Sequence, residues 1–162
     1  MSNVERLQAS LDNLAMDGRF PIFWQESLAD SASEVRAVFE RVEPLGVSAR
    51  SVSWAIDCES NPMPFAAWCR YLEASFEALG ESIRCLECDE SHGQALFRSA
   101  KPTEWQGLRR YFEARIDGTT RVELSRYSVQ LAQPTRREIV PMVLTREQLL
   151  RTIASVFPKQ CG

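Results

Sequence analysis

The sequence predicts an α+β protein built on an antiparallel sheet. The spacing of apolar residues changes repeatedly between the helical period and the alternation of a strand, and capping patterns and glycines mark the changes. Between about residues 47 and 131 the order reads β-α-β-β-α-β, the ferredoxin-like arrangement with both helices on one sheet face. The 162 residues, 44% of them hydrophobic, suit a single globular domain, with 1–46 as a helical segment packed on the α+β core.

The N-terminal segment predicts two helices. Ser2 and Glu5 form a capping-box pattern ahead of a leucine stripe, and Ser31 and Glu34 form a second one. The second stripe consists of Val35, Val38, Phe39 and Val42. Between the two helices, the apolar stretch 20–24 (FPIFW) is expected to form a short plug under them.

The predicted core alternates strands and helices. The strands are expected at 47–57, 83–88, 94–99 and 120–131, and the helices at 63–79 and 103–116. A hairpin loop joins the second and third strands. In the last strand the apolar phase shifts, which predicts a β-bulge near Ser125–Arg126. A competing grouping takes 83–116 and 119–157 as two strand-strand-helix units.

A strand and a helix are expected to complete the fold. The strand covers residues 137–145, and its internal Pro141 indicates a sheet edge. Thr145 and Gln148 then form a capping box for the final helix.

The stretch CLECDESHG (85–93) is the best candidate for a chemical site. It combines Cys85 and Cys88 with His92, the only histidine of the chain. On a regular strand, positions i and i+3 point to opposite faces, so the two sulfurs should diverge. Acidic neighbours would raise thiol pKa values. We therefore expect a strand and its turn here, and neither a metal site, a redox site nor a bound cofactor.

The rest of the sequence contains few residues or motifs typical of catalysis. No GxSxG, HExxH, Walker or GxGxxG motif occurs in the sequence. A carboxylate pair such as Asp57 and Glu59 at a strand end is the best catalytic alternative. A small enzyme or a ligand-binding domain that uses a helix-sheet cleft thus remains open as an alternative.

Arginine-rich segments in the second half raise a second alternative, a nucleic-acid or nucleotide binder. Arg109, Arg110, Arg136 and Arg137 are the candidate anion contacts. The predicted central strands carry only Phe97 as a stacking aromatic, and the sequence pI near 5.3 disfavours non-specific affinity for phosphate. Nucleic acid is therefore not the expected partner.

The charge distribution favours recognition of another protein. Residues 1–90 carry a net charge of −9 and residues 91–162 a net charge of +6. We expect a non-enzymatic binding module that neutralises or escorts a protein with a basic surface, as bacterial immunity proteins and effector chaperones do. The expected contacts are Glu34, Glu40, Glu43, Asp57, Glu59, Glu73, Glu77 and Trp24, the last either as an exposed anchor or as part of the plug.

The sequence also predicts a cytoplasmic location. It shows no secretory signal pattern, and its longest apolar run, IVPMVL, is far shorter than a membrane span. Its cysteines are expected to be free thiols, as is usual in a reducing compartment.

Overall fold

The computed structural model describes residues 2–14, 20–28 and 31–159, which form three α-helices and ten strands. The predicted α+β class with an antiparallel sheet is confirmed, but the sheet is larger than expected. The helices are α1 (Asn3–Asp12), α2 (Phe65–Ser75) and α3 (Arg146–Val156). The strands are β1 (Ile22–Ser27), β2 (Glu34–Val42), β3 (Gly46–Ala55), β4 (Ile83–Asp89), β5 (Gln94–Ser99), β6 (Thr103–Trp105), β7 (Leu108–Asp117), β8 (Arg121–Gln130), β9 (Gln133–Val140) and β10 (Met142–Thr145).

The sheet has a main path and a fork. The main path runs β1-β2-β3-β8-β7-β5-β4, and β6 pairs with β7. Strand β3 pairs with β8 only over residues 52–55, and its earlier part pairs with β10. Beyond residue 125, β8 pairs instead with β9, which leads into β10 across Pro141. The sheet therefore divides into a β3–β10 arm and a β8–β9 arm, and we call this division the fork.

All three helices pack on one face of the sheet. Alternate strand residues such as Phe39, Trp54 and Phe97 point to this face and are almost completely buried. The indole nitrogen of Trp54 donates a hydrogen bond to the backbone carbonyl of Ile153 in α3, at 3.3 Å. The opposite face, which we call the open face, bears no helix of the described chain.

Local signals located the starts of α1 and α3 and the end of the segment that contains α2. The capping boxes of Ser2 with Glu5 and of Thr145 with Gln148 are both present. The helix predicted at 63–79 is α2, followed by a short 3-10 turn that ends at Gly80 in the left-handed conformation. The four strands predicted for the core are also confirmed as β3, β4, β5 and β8.

The helix predicted for the second half of the N-terminal segment is wrong, because residues 34–42 form β2. Val35, Ala37 and Phe39 alternate toward the core as in any strand. The register then shifts between Phe39 and Arg41, which turns Val42 inward as well. An irregularity of this kind mimics helical spacing. The FPIFW stretch mostly belongs to β1, which pairs with β2, and so it is an edge strand of the sheet.

The helix predicted at 103–116 is also wrong, since this segment forms the β6–β7 hairpin. Gln106 and Gly107 make its turn with φ of 50° and 76°, the left-handed values of a tight hairpin turn. The ferredoxin-like order and the competing strand-strand-helix grouping both need this helix, so neither is confirmed.

Two smaller expectations about strands are corrected as well. The register of β8 with β7 is continuous through Ser125–Arg126, so no bulge separates those two strands there. The apolar phase of β8 shifts because its other neighbour changes from β3 to β9. The strand predicted at 137–145 is divided at Pro141 between the end of β9 and β10.

Candidate functional site

The open face carries a groove that crosses six strands. The register of the pairs β2–β3, β3–β8, β8–β7, β7–β5 and β5–β4 places twelve side chains in two adjacent rows, all of them polar except Ala55 and Leu96. The first row is Glu34, Ala55, Arg121, Asp117, Gln94 and Asp89. The second row is Arg36, Ser53, Glu123, Arg115, Leu96 and Glu87. All twelve residues line one groove of about 880 Å³, which we call the open-face groove.

This groove is strongly charged. Five carboxylates and three guanidinium groups line it, a formal excess of two negative charges. Among the carboxylates, Glu34 accepts a hydrogen bond from Gln25 at 2.7 Å and lies 2.8 Å from Arg36. Small-molecule sites are lined mainly by apolar groups, and so the composition of this groove suits a polar, positively charged ligand better.

A buried carboxylate lies beside the groove in β7. The side chain of Glu113 is 1% exposed, although it points to the open face. Its Oε1 accepts hydrogen bonds from Arg98 Nε and Arg137 Nη1, both at 2.9 Å, and its Oε2 lies 3.6 Å from Arg115 Nε. We call these four residues the Glu113 cluster. It links β5, β7 and β9 by charge at a depth where an unpaired carboxylate would be strongly disfavoured.

Two tyrosines extend the cluster along the open face. Tyr111 and Tyr127 stack with ring centroids 5.9 Å apart. The guanidinium of Arg98 lies 5.1 Å from the Tyr111 centroid, and that of Arg137 lies 4.0 Å from the Tyr127 centroid. Hydrogen bonds to the Tyr111 hydroxyl and to Glu113 raise the pKa of Arg137. The cluster therefore has the residue types of a rigid structural network.

The predicted acidic contacts are spread over the molecule and are only in part free to meet a partner. Four of them lie within 4 Å of an arginine: Glu34 with Arg36, Glu40 with Arg50, Glu43 with Arg41, and Glu73 with Arg84. Glu73 also accepts a hydrogen bond from the backbone N–H of Cys85. Asp57 caps a 3-10 turn that contains Glu59, and Glu77 lies in the turn after α2. Of the predicted acids, only Glu34 lines the open-face groove.

Trp24 is part of the core. Its side chain is 4% exposed, its Nε1 donates to Ser10 Oγ at 2.9 Å, and its ring packs against Phe39. The exposed-anchor alternative is therefore wrong. The exposed tryptophan is instead Trp105, at 76% exposure, which lies in the segment predicted as the helix 103–116.

The predicted anion-binding arginines do not form one patch. Arg109 and Arg110 are neighbours on a strand and so point to opposite faces. Arg109 makes two hydrogen bonds to Glu104, at 2.9 and 2.8 Å, and Arg137 belongs to the Glu113 cluster. Arg136 is exposed on β9. Two of the four guanidinium groups are thus already engaged by carboxylates.

The prediction that Cys85 and Cys88 point to opposite faces of the sheet is wrong. A register shift between Cys85 and Glu87 adds one residue to β4, so that Cys85 lies opposite Phe97 and Cys88 opposite Ala95. Both partners face the core, and both cysteines therefore lie on the helix side instead of diverging. Within the described residues, no group of three histidine, cysteine, aspartate or glutamate side chains could hold a metal ion.

His92 lies in the predicted hairpin loop and is exposed. Its Nδ1 contacts both Asp89 Oδ2, at 2.8 Å, and Ser91 Oγ, at 3.1 Å. A catalytic serine-histidine pair requires the serine and the acid on different ring nitrogens. This trio therefore has the geometry of a turn, in which Asp89 also accepts a hydrogen bond from the backbone N–H of His92.

None of the helices in the described part of the chain is long and apolar enough to cross a membrane. Comparison of the chain with protein-family models, with curated proteins and with solved structures finds no match.

Proposed function

We propose that this chain is a cytoplasmic, non-enzymatic protein-binding module that neutralises or escorts a partner with a basic surface. The observation that carries the proposal is the open-face groove. It spans six strands, is uncovered by any helix of the described chain, and has an excess of carboxylates. A long charged groove suits a stretch of polypeptide that presents lysine and arginine.

The proposed contact surface is the open-face groove, whereas most of the acids predicted from the sequence lie elsewhere on the molecule. Glu34 is retained, and Glu87, Asp89, Asp117 and Glu123 are added. The other predicted acids, among them Glu40, Glu43 and Glu73, lie outside this groove. Sequence reasoning missed the added acids because the groove is set by register between strands that are distant in sequence.

The alternatives have less support. A nucleic-acid or nucleotide site would need arginines that converge on one face, and the predicted ones are divided between two faces. A small enzyme would need a group activated by its surroundings. The exposed Ser91-His92-Asp89 turn has the wrong geometry for that role, and Asp57 serves as the cap of a 3-10 turn.

The test begins with capture of the native partner. A photo-crosslinking residue at Gln94, in the groove, should capture a basic protein, and the same residue at Glu77 should not. Rates of association are then measured by stopped-flow over a salt series. Charge steering raises such rates by roughly tenfold to a thousandfold at low salt.

Two pairs of charge reversals separate the groove from the remaining acids. Glu87→Arg with Glu123→Arg should slow association at low salt, because both side chains line the groove. Glu59→Arg with Glu77→Arg is the matched control outside it and should have a much smaller effect. Equal effects of the two pairs, or capture of an acidic protein at Gln94, would contradict the proposal.

A further inference from the structure

A second groove lies at the fork, between the helix-side face of β6, β7 and β8 and strand β10 of the other arm. It has a volume of about 690 Å³, and we call it the Trp105 groove. Its walls come from the β6–β7 hairpin, from the β8–β9 arm and from β10 of the other arm. Within the described chain, β9 pairs only with β8 and β10 only with β3, so each strand has one unpaired edge.

The rim of this groove is apolar and exposed. Trp105 is 76% exposed and Val143 is 79% exposed, and both line the groove together with the partly buried Leu108, Val140 and Pro141. The tight turn at Gln106 and Gly107 holds the indole on a short hairpin. Large apolar side chains grouped around a concavity are typical of protein-docking sites, where tryptophan is a frequent anchor.

Two arginines give the groove a charge. Arg126 is fixed, because it stacks 4.4 Å from the Phe112 centroid and donates to Glu81 Oε2 at 2.6 Å and Thr103 Oγ1 at 3.2 Å. Arg110 is exposed, and no carboxylate of the described residues lies within ion-pair distance of it. The lining thus has two guanidinium groups against one carboxylate, and that carboxylate is already engaged.

Glu81 supplies one more polar feature. Its Oε1 is buried and has no hydrogen-bond donor among the described residues, although its Oε2 is bound by Arg126. A buried acceptor without a donor is unfavourable. A backbone N–H brought into the groove by a ligand would satisfy it.

From these observations we propose that the Trp105 groove docks a segment of another protein in which an apolar side chain lies next to a carboxylate. The apolar side chain packs between Trp105 and Val143, and the carboxylate binds Arg110. No residue lines both this groove and the open-face groove, and this groove attracts the opposite charge. The proposal is therefore independent of the basic partner proposed above.

The probe is a phage-displayed library of random dodecapeptides, selected on the intact protein. Peptides retained by the wild type should combine leucine or aromatic residues with aspartate or glutamate, and Trp105→Ala should lose them. Phe23→Ala is the matched control, because Phe23 is equally exposed at 76% but lies on β1. Thermal unfolding followed by circular dichroism verifies that each variant is folded.

The charge requirement is tested with adjacent arginines of β7. For a selected peptide, Arg110→Glu should weaken binding about tenfold or more, and Arg109→Glu should change it less than about twofold. Arg109 serves as the control because it points to the other face and is bound to Glu104.

Four results would overturn the proposal. They are peptides rich in lysine and arginine, retention of the same peptides by Trp105→Ala, loss of these peptides by Phe23→Ala as well, or a dimer in sedimentation that Trp105→Ala abolishes. The last result would assign the groove to a second copy of the chain. None of them bears on the crosslinking test at Gln94, so failure here is distinguishable from failure of the proposed function.

Discussion

Replacing Glu113 with glutamine removes the carboxylate that three guanidinium groups share. The substitution keeps the shape of the side chain and one acceptor oxygen, but it leaves Arg98, Arg115 and Arg137 without their common counter-charge. Breaking a fully buried ion pair by removing one partner costs about 3–5 kcal/mol. The three arginine side chains are 38%, 62% and 32% exposed, so water can recover part of this energy. We expect a loss of about 2–3 kcal/mol in the free energy of unfolding.

The assay is urea unfolding followed by tryptophan fluorescence, with thermal unfolding as a second measurement. For a chain of this size, a loss of 2–3 kcal/mol lowers Tm by about 4–12 °C. Glu104→Gln is the matched control. Its carboxylate also accepts two arginine hydrogen bonds, at 2.9 and 2.8 Å, but it is 51% exposed. We expect it to lose less than about 1 kcal/mol, as exposed pairs do.

A double-mutant cycle of Glu113→Gln with Arg137→Gln then measures the coupling itself. A coupling of about 1 kcal/mol or more would agree with the geometry. If Glu113→Gln were no more destabilising than Glu104→Gln, burial would not strengthen these ion pairs, and the structural role assigned to the Glu113 cluster would be refuted.

Three further predictions concern other parts of the molecule. Arg146→Ala should lower the free energy of unfolding by about 1–2 kcal/mol. The Arg146 side chain is 13% exposed, and its guanidinium donates to Asp12 Oδ1 at 2.5 Å and to the Glu43 carbonyl at 2.7 Å. The side chain of Arg151 is 68% exposed, so Arg151→Ala should lower the free energy of unfolding by less than about 0.5 kcal/mol in the same urea assay. Burial and, to a smaller extent, the charges of Cys88 and Cys85 raise the pKa of Cys69 to about 12. Iodoacetamide at pH 8 should therefore label the exposed Cys58 and leave Cys69 unlabelled, as measured by peptide mass spectrometry. Equal labelling of the two cysteines would contradict this prediction. Hydrogen bonds from Ser91 and His92 lower the pKa of Asp89 below the ordinary value of 3.8, so the stabilisation from its ionised form is present above that value and lost as the pH falls through the folded pKa. Ser91→Ala should therefore raise the midpoint of Asp89 in a carboxyl NMR titration. An unchanged midpoint would exclude the serine as the cause.

The sequence predicted the elements whose signals are local. Ser2 and Glu5, or Thr145 and Gln148, lie within one helical turn, so their capping boxes are visible without knowledge of the rest of the fold. The two wrongly predicted helices lie in segments whose apolar residues fit both the helical period and the alternation of a strand. Phe112 and Ile116 are four residues apart, a spacing that suits one helix face and one strand face equally. The turn at Gln106–Gly107 was the available signal for a hairpin.

The candidate sites could not be predicted in the same way. Glu113 lies in a run of four buried residues, Tyr111–Ala114, in which alternation disappears because arginines from β5 and β9 cover the open face. The open-face groove depends on the pairing of Ser53 with Glu123, which no neighbouring residue specifies. Trp105 lies in the segment predicted as the helix 103–116, and its exposure depends on where the β6–β7 hairpin projects. Register between strands distant in sequence thus determines the candidate surfaces, whereas local sequence patterns predict most of the helices.

The fork also has a consequence for synthesis of the chain. Met142 of β10 pairs with Ala49 of β3, a partner that leaves the ribosome 93 residues earlier. At the usual rate of translation, the edge of β3 over residues 46–49 waits about 5–20 seconds for its neighbour. An unpaired strand edge is a template for pairing with other chains, and contacts this distant in sequence slow folding. A nascent chain therefore passes through a stage at which β1, β2 and β3 can assemble while one edge of β3 stays open to any other strand in reach.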